Sequence, residues 1–242
     1  MMRSGNPALK GDLFMTVRTA EGSKAMTIQG TVNKTFFMLC LVTFSAMWAW
    51  TNISVSIPLL ISAAIAGLIV AFVTIFKREW AGITAPIYAL LEGVVLGGIS
   101  AIFEKQYPGI VMQAVVLTFG VLFSLLAAYK SRLIKVTENF KLGVVAATGG
   151  IFLVYLVSMI LGFFGVSVPL IHGSGLVGIG FSVFVVIIAS LNLVMDFDFI
   201  EKGAEYGAPK YMEWYGAFGL IVTLVWLYLE ILRLLAKLQS RR

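Results

Sequence analysis

Charge is what this chain is short of. Of its 242 residues, 12% are Asp, Glu, Lys or Arg, while 60% are hydrophobic. A soluble domain carries about a quarter charged residues, so water is excluded as the solvent for most of this chain and lipid is implied. Cysteine is nearly absent. Cys40 alone, inside an apolar run, excludes a disulfide framework and reads as a small packing residue. The one histidine, His172, sits in a loop with no second His or Cys to join it, which excludes a His/Cys metal site. There is no glycine-rich phosphate cradle and no nucleophile elbow. The net charge of +6 does not point to nucleic acid, because the basic residues flank apolar runs, where membrane orientation accounts for them.

What is present is a series of apolar runs. Residues 1–34 form a polar N-terminal tail, too long and too polar before its first apolar run to be a cleavable signal, and expected to be retained. A membrane domain follows over 35–238, ahead of a basic end at 239–242. Seven spans of about 20 residues each are predicted at 35–53, 56–77, 82–103, 109–129, 141–163, 176–199 and 212–236. Small residues recur four apart at Ala63/Gly67, Gly93/Gly97, Gly143/Ala147, Ala146/Gly150 and Gly178/Ser182, a spacing that lets helix backbones approach closely in lipid. No internal repeat is visible, so a transporter of two inverted halves is unsupported.

The few acids stand out against this background. Glu92 lies near the middle of the third span, and no Lys or Arg occupies the interior of the first six spans to pair with it. A charged acid at mid-bilayer costs about 2.5–3.5 kcal/mol on insertion scales, so Glu92 is protonated, faces water or binds a cation. Two readings stand side by side: a neutral acid hydrogen-bonded to a neighbouring helix, and a proton- or cation-linked site. In "LNLVMDFDFIEKGAEYG", Asp196, Asp198 and Glu201 close the sixth span. Asn192 and Asp196 share one helix face, and Asp198 and Glu201 share another. With Glu205 and Glu213 these acids outnumber Lys202 and Lys210 by three charges. Crowded carboxylates exchange protons in coupled steps and offer oxygen ligands to a hard cation such as calcium, with Asp196 and Asp198 as the metal candidates. The plainer reading is a solvated loop at the interface. Glu230 is followed three residues later by Arg233, which reads as a salt bridge near the membrane end, with Thr223 on nearly the same face.

"ASLNLVMDFDFIEKG" followed by "GAFGLIVTLVWLYLEILRLL", together with "EGVVLGGIS" and "MTIQGTVNKT", resembles the Bax inhibitor-1 family in its bacterial YccA-like branch. The resemblance covers residues 26–238. It implies an all-α seven-transmembrane-helix bundle in which six helices surround a central last helix. It also implies an aspartate late in helix six, here Asp198 or Asp196, that pairs with an acid in helix seven to gate a pH-responsive calcium leak. This chain departs from that pattern, because Thr223 stands where the second acid is expected. The partner is then Glu213, Glu230 or Glu92, or the pair is absent. The resulting expectation is a non-enzymatic inner-membrane protein with no resident cofactor beyond a calcium ion, acting as a carboxylate-controlled cation leak. The alternative is an interaction protein that restrains a membrane protease complex through its tail. An intramembrane aspartyl enzyme is disfavoured, since Asp196 and Asp198 are two apart on one helix and do not face each other.

Lys and Arg counts set the expected orientation. Thirteen fall in the tail and in alternate breaks, against Lys105 alone on the other side before the C-terminus, which places the N-terminus in the cytoplasm. Arg233, Lys237, Arg241 and Arg242 then fall outside if all seven spans cross. A reporter active only in the cytoplasm, fused after Arg242, is expected to stay silent. A strong signal there would replace the seven-crossing arrangement with a re-entrant last hairpin.

Overall fold

Each apolar run folds as one long helix in the computed structural model, which describes residues 25–52, 57–165, 173 and 175–241, the Phe163 side chain excepted. His172 lies outside the described residues. The helices are α1 (Ile28–Thr51), α2 (Ile57–Phe76), α3 (Ala81–Gln106, preceded by a 3-10 turn at Arg78–Trp80), α4 (Ile110–Lys130), α5 (Glu138–Phe163), α6 (Leu176–Glu205) and α7 (Met212–Gln239). All seven are long and apolar enough to cross a membrane. The last is the most buried: 56% of its most apolar stretch lies inside the protein, against 17–39% for the others.

Helix ends follow local chemistry. Thr27 is extended at φ −129°, and its hydroxyl accepts from the Gly30 amide at 3.0 Å, so α1 starts at Ile28, seven residues before the expected span. Thr137 caps α5 in the same way, accepting from the Phe140 amide at 3.2 Å. Helix α6 outruns its predicted end at 199 by six residues and stops where Gly207 takes φ +65°, with the Ala208 amide bonded back to the Gly203 carbonyl at 2.9 Å. Asp196, Asp198, Glu201 and Glu205 are therefore all helical rather than sited in a loop. Pro86 sits inside α3 without breaking it.

The described residues divide into two compact units: those of 25–105 with 196–222, and those of 106–195 with 223–241. Within the first, α3 presses its backbone onto α1. A Cβ at Gly93 would lie 1.9 Å from the Ser45 hydroxyl oxygen, and one at Gly97 would lie 2.2 Å from the Ala46 carbonyl. The Thr74 hydroxyl of α2 donates to the Thr84 hydroxyl of α3 at 2.8 Å. Within the second, Ile151, Val185 and Ile188 form a core joined by Trp226. The outward faces are apolar, as in Phe36, Phe44, Phe76, Ile83 and Met112, which suits lipid.

Two readings of packing are corrected. Cys40 is exposed on α1 rather than packed inside. On α5, Gly143 and Gly150 are not at close-approach faces, since nothing lies within 4 Å of a Cβ built at either, whereas Ala147 packs against the Ile151, Val185 and Ile188 core. Spacing alone does not say which face a helix turns to its neighbours. Gly97→Ala is expected to lower stability by more than the about 1–3 kcal/mol typical of overpacking, because the obstacle is backbone. Gly143→Ala should leave it unchanged or slightly raised. Thermal unfolding of the two variants in detergent checks the contrast.

Candidate functional site

The first unit holds Glu92, Asp196, Asp198, Glu201 and Glu213. Its firmest feature is built from the chain just before α1. The Met26 amide donates to the Ala208 carbonyl at 2.7 Å, and Ala25 forms an antiparallel bridge with Pro209. Met26 packs with Ala81, Ile200, Ala208, Met212 and Tyr215 in one buried cluster. This docking brings Thr27 to Glu213, in the first turn of α7, whose side chain is 0% exposed. Glu213 Oε1 accepts from the Thr27 amide and hydroxyl, each at 2.9 Å, and from Lys210 Nζ at 2.7 Å. Lys34 Nζ donates to Oε2. Lys34 also lies over the Trp214 ring, 5.3 Å from its centroid. A Cβ at Gly30 would fall 2.2 Å from Oε1, so the residue there has to be glycine for the carboxylate to seat.

Asp198 is nearly buried and accepts from Lys202 Nζ at 2.7 Å, one turn further along α6. The acid precedes the lysine, the favoured order for this spacing. Asp196 is half-buried and faces α7: a Cβ at Gly219 would sit 3.9 Å from its Oδ1. Glu201 is half-buried and Glu205 exposed. Among the described residues, no three His, Cys, Asp or Glu side chains gather as a metal-holding group. The like charges expected to crowd from the sequence are thus met at Asp198 by Lys202 and at Glu213 by Lys34 and Lys210. Glu92 sits on α3 one turn from Tyr88, whose ring meets Phe218 edge-on at 5.0 Å. Among the described residues no donor or cation lies on its carboxylate.

The second unit contains Asn192, Thr223 and Glu230. Glu230 is buried. It accepts from the Tyr155 hydroxyl at 3.0 and 3.1 Å and from Arg233 Nη1 at 2.8 Å, so the expected salt bridge is present and gains a tyrosine from α5. Arg233 lies over the Tyr155 ring at 5.5 Å. Lys237 Nζ reaches α6, donating to the Gly178 carbonyl at 3.0 Å and the Ser182 hydroxyl at 2.7 Å. Asn192 Nδ2 donates to Thr148 Oγ1 at 2.9 Å. Thr223 is buried.

Sequence reasoning missed Thr27, Gly30, Lys34 and Lys210 as partners of Glu213. The Thr27 cap was within reach of local pattern; the pairing across 186 residues was not.

Seven long apolar helices with buried, paired acids define an all-α, multi-pass membrane protein. The chain matches the family described as Bax inhibitor 1 like over residues 6–240 and belongs to it. No curated protein matches the chain.

Glu213→Gln removes the charge that balances two lysines. Breaking a buried pair from one side costs about 3–5 kcal/mol, because the partner charge is left uncompensated. The variant should unfold correspondingly earlier in detergent, and adding Lys34→Met should restore part of the loss. Additive losses in this double-mutant cycle would mean that the pair does not couple.

Proposed function

We propose that this chain is a pH-sensitive cation path, a calcium leak in a bacterial inner membrane with its N-terminus in the cytoplasm, controlled by carboxylates and without enzymatic activity. The observation that carries the reading is Asp198: a nearly buried carboxylate paired with Lys202 of the same helix at 2.7 Å. The Asp198 charge holds Lys202, and a contact that depends on one charge is a switch in its simplest form. Of the three acids that stand in for the residue replaced by Thr223, Glu213 and Glu230 are held by cations. Glu92 is left as the polar step at mid-membrane. Calcium passes such a path as cargo, meeting one or two carboxylates at a time, with Asp196 and Asp198 the nearest pair in sequence. The basic and aromatic residues of the first unit favour the proposed orientation. Lys77 lies over Trp80 at 4.5 Å and Arg78 over Tyr215 at 5.4 Å, pairings suited to a cytoplasmic membrane interface.

A second reading, restraint of a membrane protease complex through the tail, is favoured by the docking of Ala25 and Met26 on Ala208 and Pro209, which seats the tail's last residues on the α6–α7 connection. Deleting residues 1–24 keeps this seat. Flux should survive that deletion if the leak is the function.

In liposomes holding only the purified protein, Asp198→Asn is expected to abolish the pH dependence of calcium flux while the protein stays folded and inserted. Wild-type liposomes without flux, or a variant with its full pH response, would sink the reading.

A further inference from the structure

Glu92 occupies an unusual place on its helix. Its neighbours on the same face of α3, one turn or less away, are buried: Tyr88 at 6%, Ala89 at 0%, Val95 at 9% and Leu96 at 7% exposure. Glu92 itself is only half-buried. A residue ringed by buried neighbours that keeps exposed surface opens into a crevice rather than onto the outer face of the helix. Across the crevice is α2, which presents a narrow face of Ala63, Gly67 and Thr74, all buried. A Cβ built at Gly67 would lie 3.6 Å from Glu92 Oε2 and 3.8 Å from the Leu91 Cβ. Both residues are near the midpoints of their helices, so the crevice lies near mid-membrane.

We propose that Glu92 is an exchangeable proton-binding site within the α2–α3 crevice, where a metal cation such as calcium competes with the proton, and that Gly67 sets access to it. The proposal deepens the leak reading. The surroundings fit a carboxyl that is neutral most of the time and charged only with a cation beside it. Helix α2 carries no charged or titratable residue along its length. From α1, Ser45 reaches the level of Gly93, but its hydroxyl donates to the Leu41 and Val42 carbonyls. From α7 comes Phe218, against Tyr88; next to it Gly219 meets Asp196 of α6. On α3 the titratable neighbour is Tyr88, one turn away. No lysine or arginine faces the carboxylate from these elements, so an ionised Glu92 bears the full cost of a charge in lipid unless a mobile cation offsets it. Absence of a side chain at position 67 leaves the carboxylate open on its α2 side.

The test is chemical and does not depend on flux. Dicyclohexylcarbodiimide is apolar and reacts with a protonated carboxyl. The acid adds across one C=N bond, its proton going to nitrogen and its oxygen to the central carbon, and the adduct rearranges to a stable N-acylurea with nothing lost. In the full-length protein in liposomes, peptide mass mapping should place the label on Glu92, faster as pH falls and severalfold slower with added calcium. Glu92→Gln should lose that label alone. Gly67→Val should slow it severalfold, whereas Gly67→Ala, whose Cβ makes only an ordinary contact, should label close to the wild-type rate. No label on Glu92, or labelling indifferent to both pH and calcium, overturns the site. Equal rates in wild type and Gly67→Val overturn the role of Gly67. Labelling that behaves as stated in liposomes without flux leaves the site standing and removes the leak.

Discussion

One buried carboxylate organises the start of both the first and the last helix. Glu213 is shut away from solvent, and a charge so placed is tolerable only when it is paired and hydrogen-bonded. Two lysines and both polar groups of Thr27 meet that demand. The consequences spread outward. Thr27 must cap α1 and donate to Glu213 at once, Gly30 must lack a side chain, and residues 25–27 must lie along the α6–α7 connection. The acid also stands in the first turn of α7, where the helix dipole favours a negative charge.

Elsewhere the solvent is lipid, and packing follows a different economy. Large apolar side chains gain nothing by leaving lipid for a neighbouring helix, so tight contact comes from small residues and short polar links. Gly93 and Gly97 let α3 touch the α1 backbone, and Thr74 with Thr84 ties α2 to α3. Phe36 and Met112 face outward for the same reason that they would face inward in water.

The acids divide by how their charge is met. Glu213, Asp198 and Glu230 have cations within salt-bridge distance. Glu230 also gathers Tyr155, and that tyrosine serves twice, donating its hydroxyl to the acid and offering its ring to Arg233. Glu213 and Glu230 tie one part of the chain to another, whereas Asp198 and Lys202 pair within α6. Glu92 differs from these three, with no donor or cation on its carboxylate among the described residues.

Composition and spacing determined that the chain lives in lipid and that seven of its apolar runs are helices among the described residues, because both follow from the cost of exposing polar groups to hydrocarbon. The resemblance around "MDFDFIEKG" pointed to the family over nearly the whole chain. Local pattern also held the Glu230–Arg233 pair, since three residues on a helix bring two side chains together whatever surrounds them. Tertiary structure alone decided which small residues meet a neighbour: Gly97 touches α1 and Gly143 touches nothing, although both have the same spacing. It alone joined Thr27, Lys34 and Glu213, because a contact across the length of the chain is set by how helices assemble, and no window of sequence contains both partners.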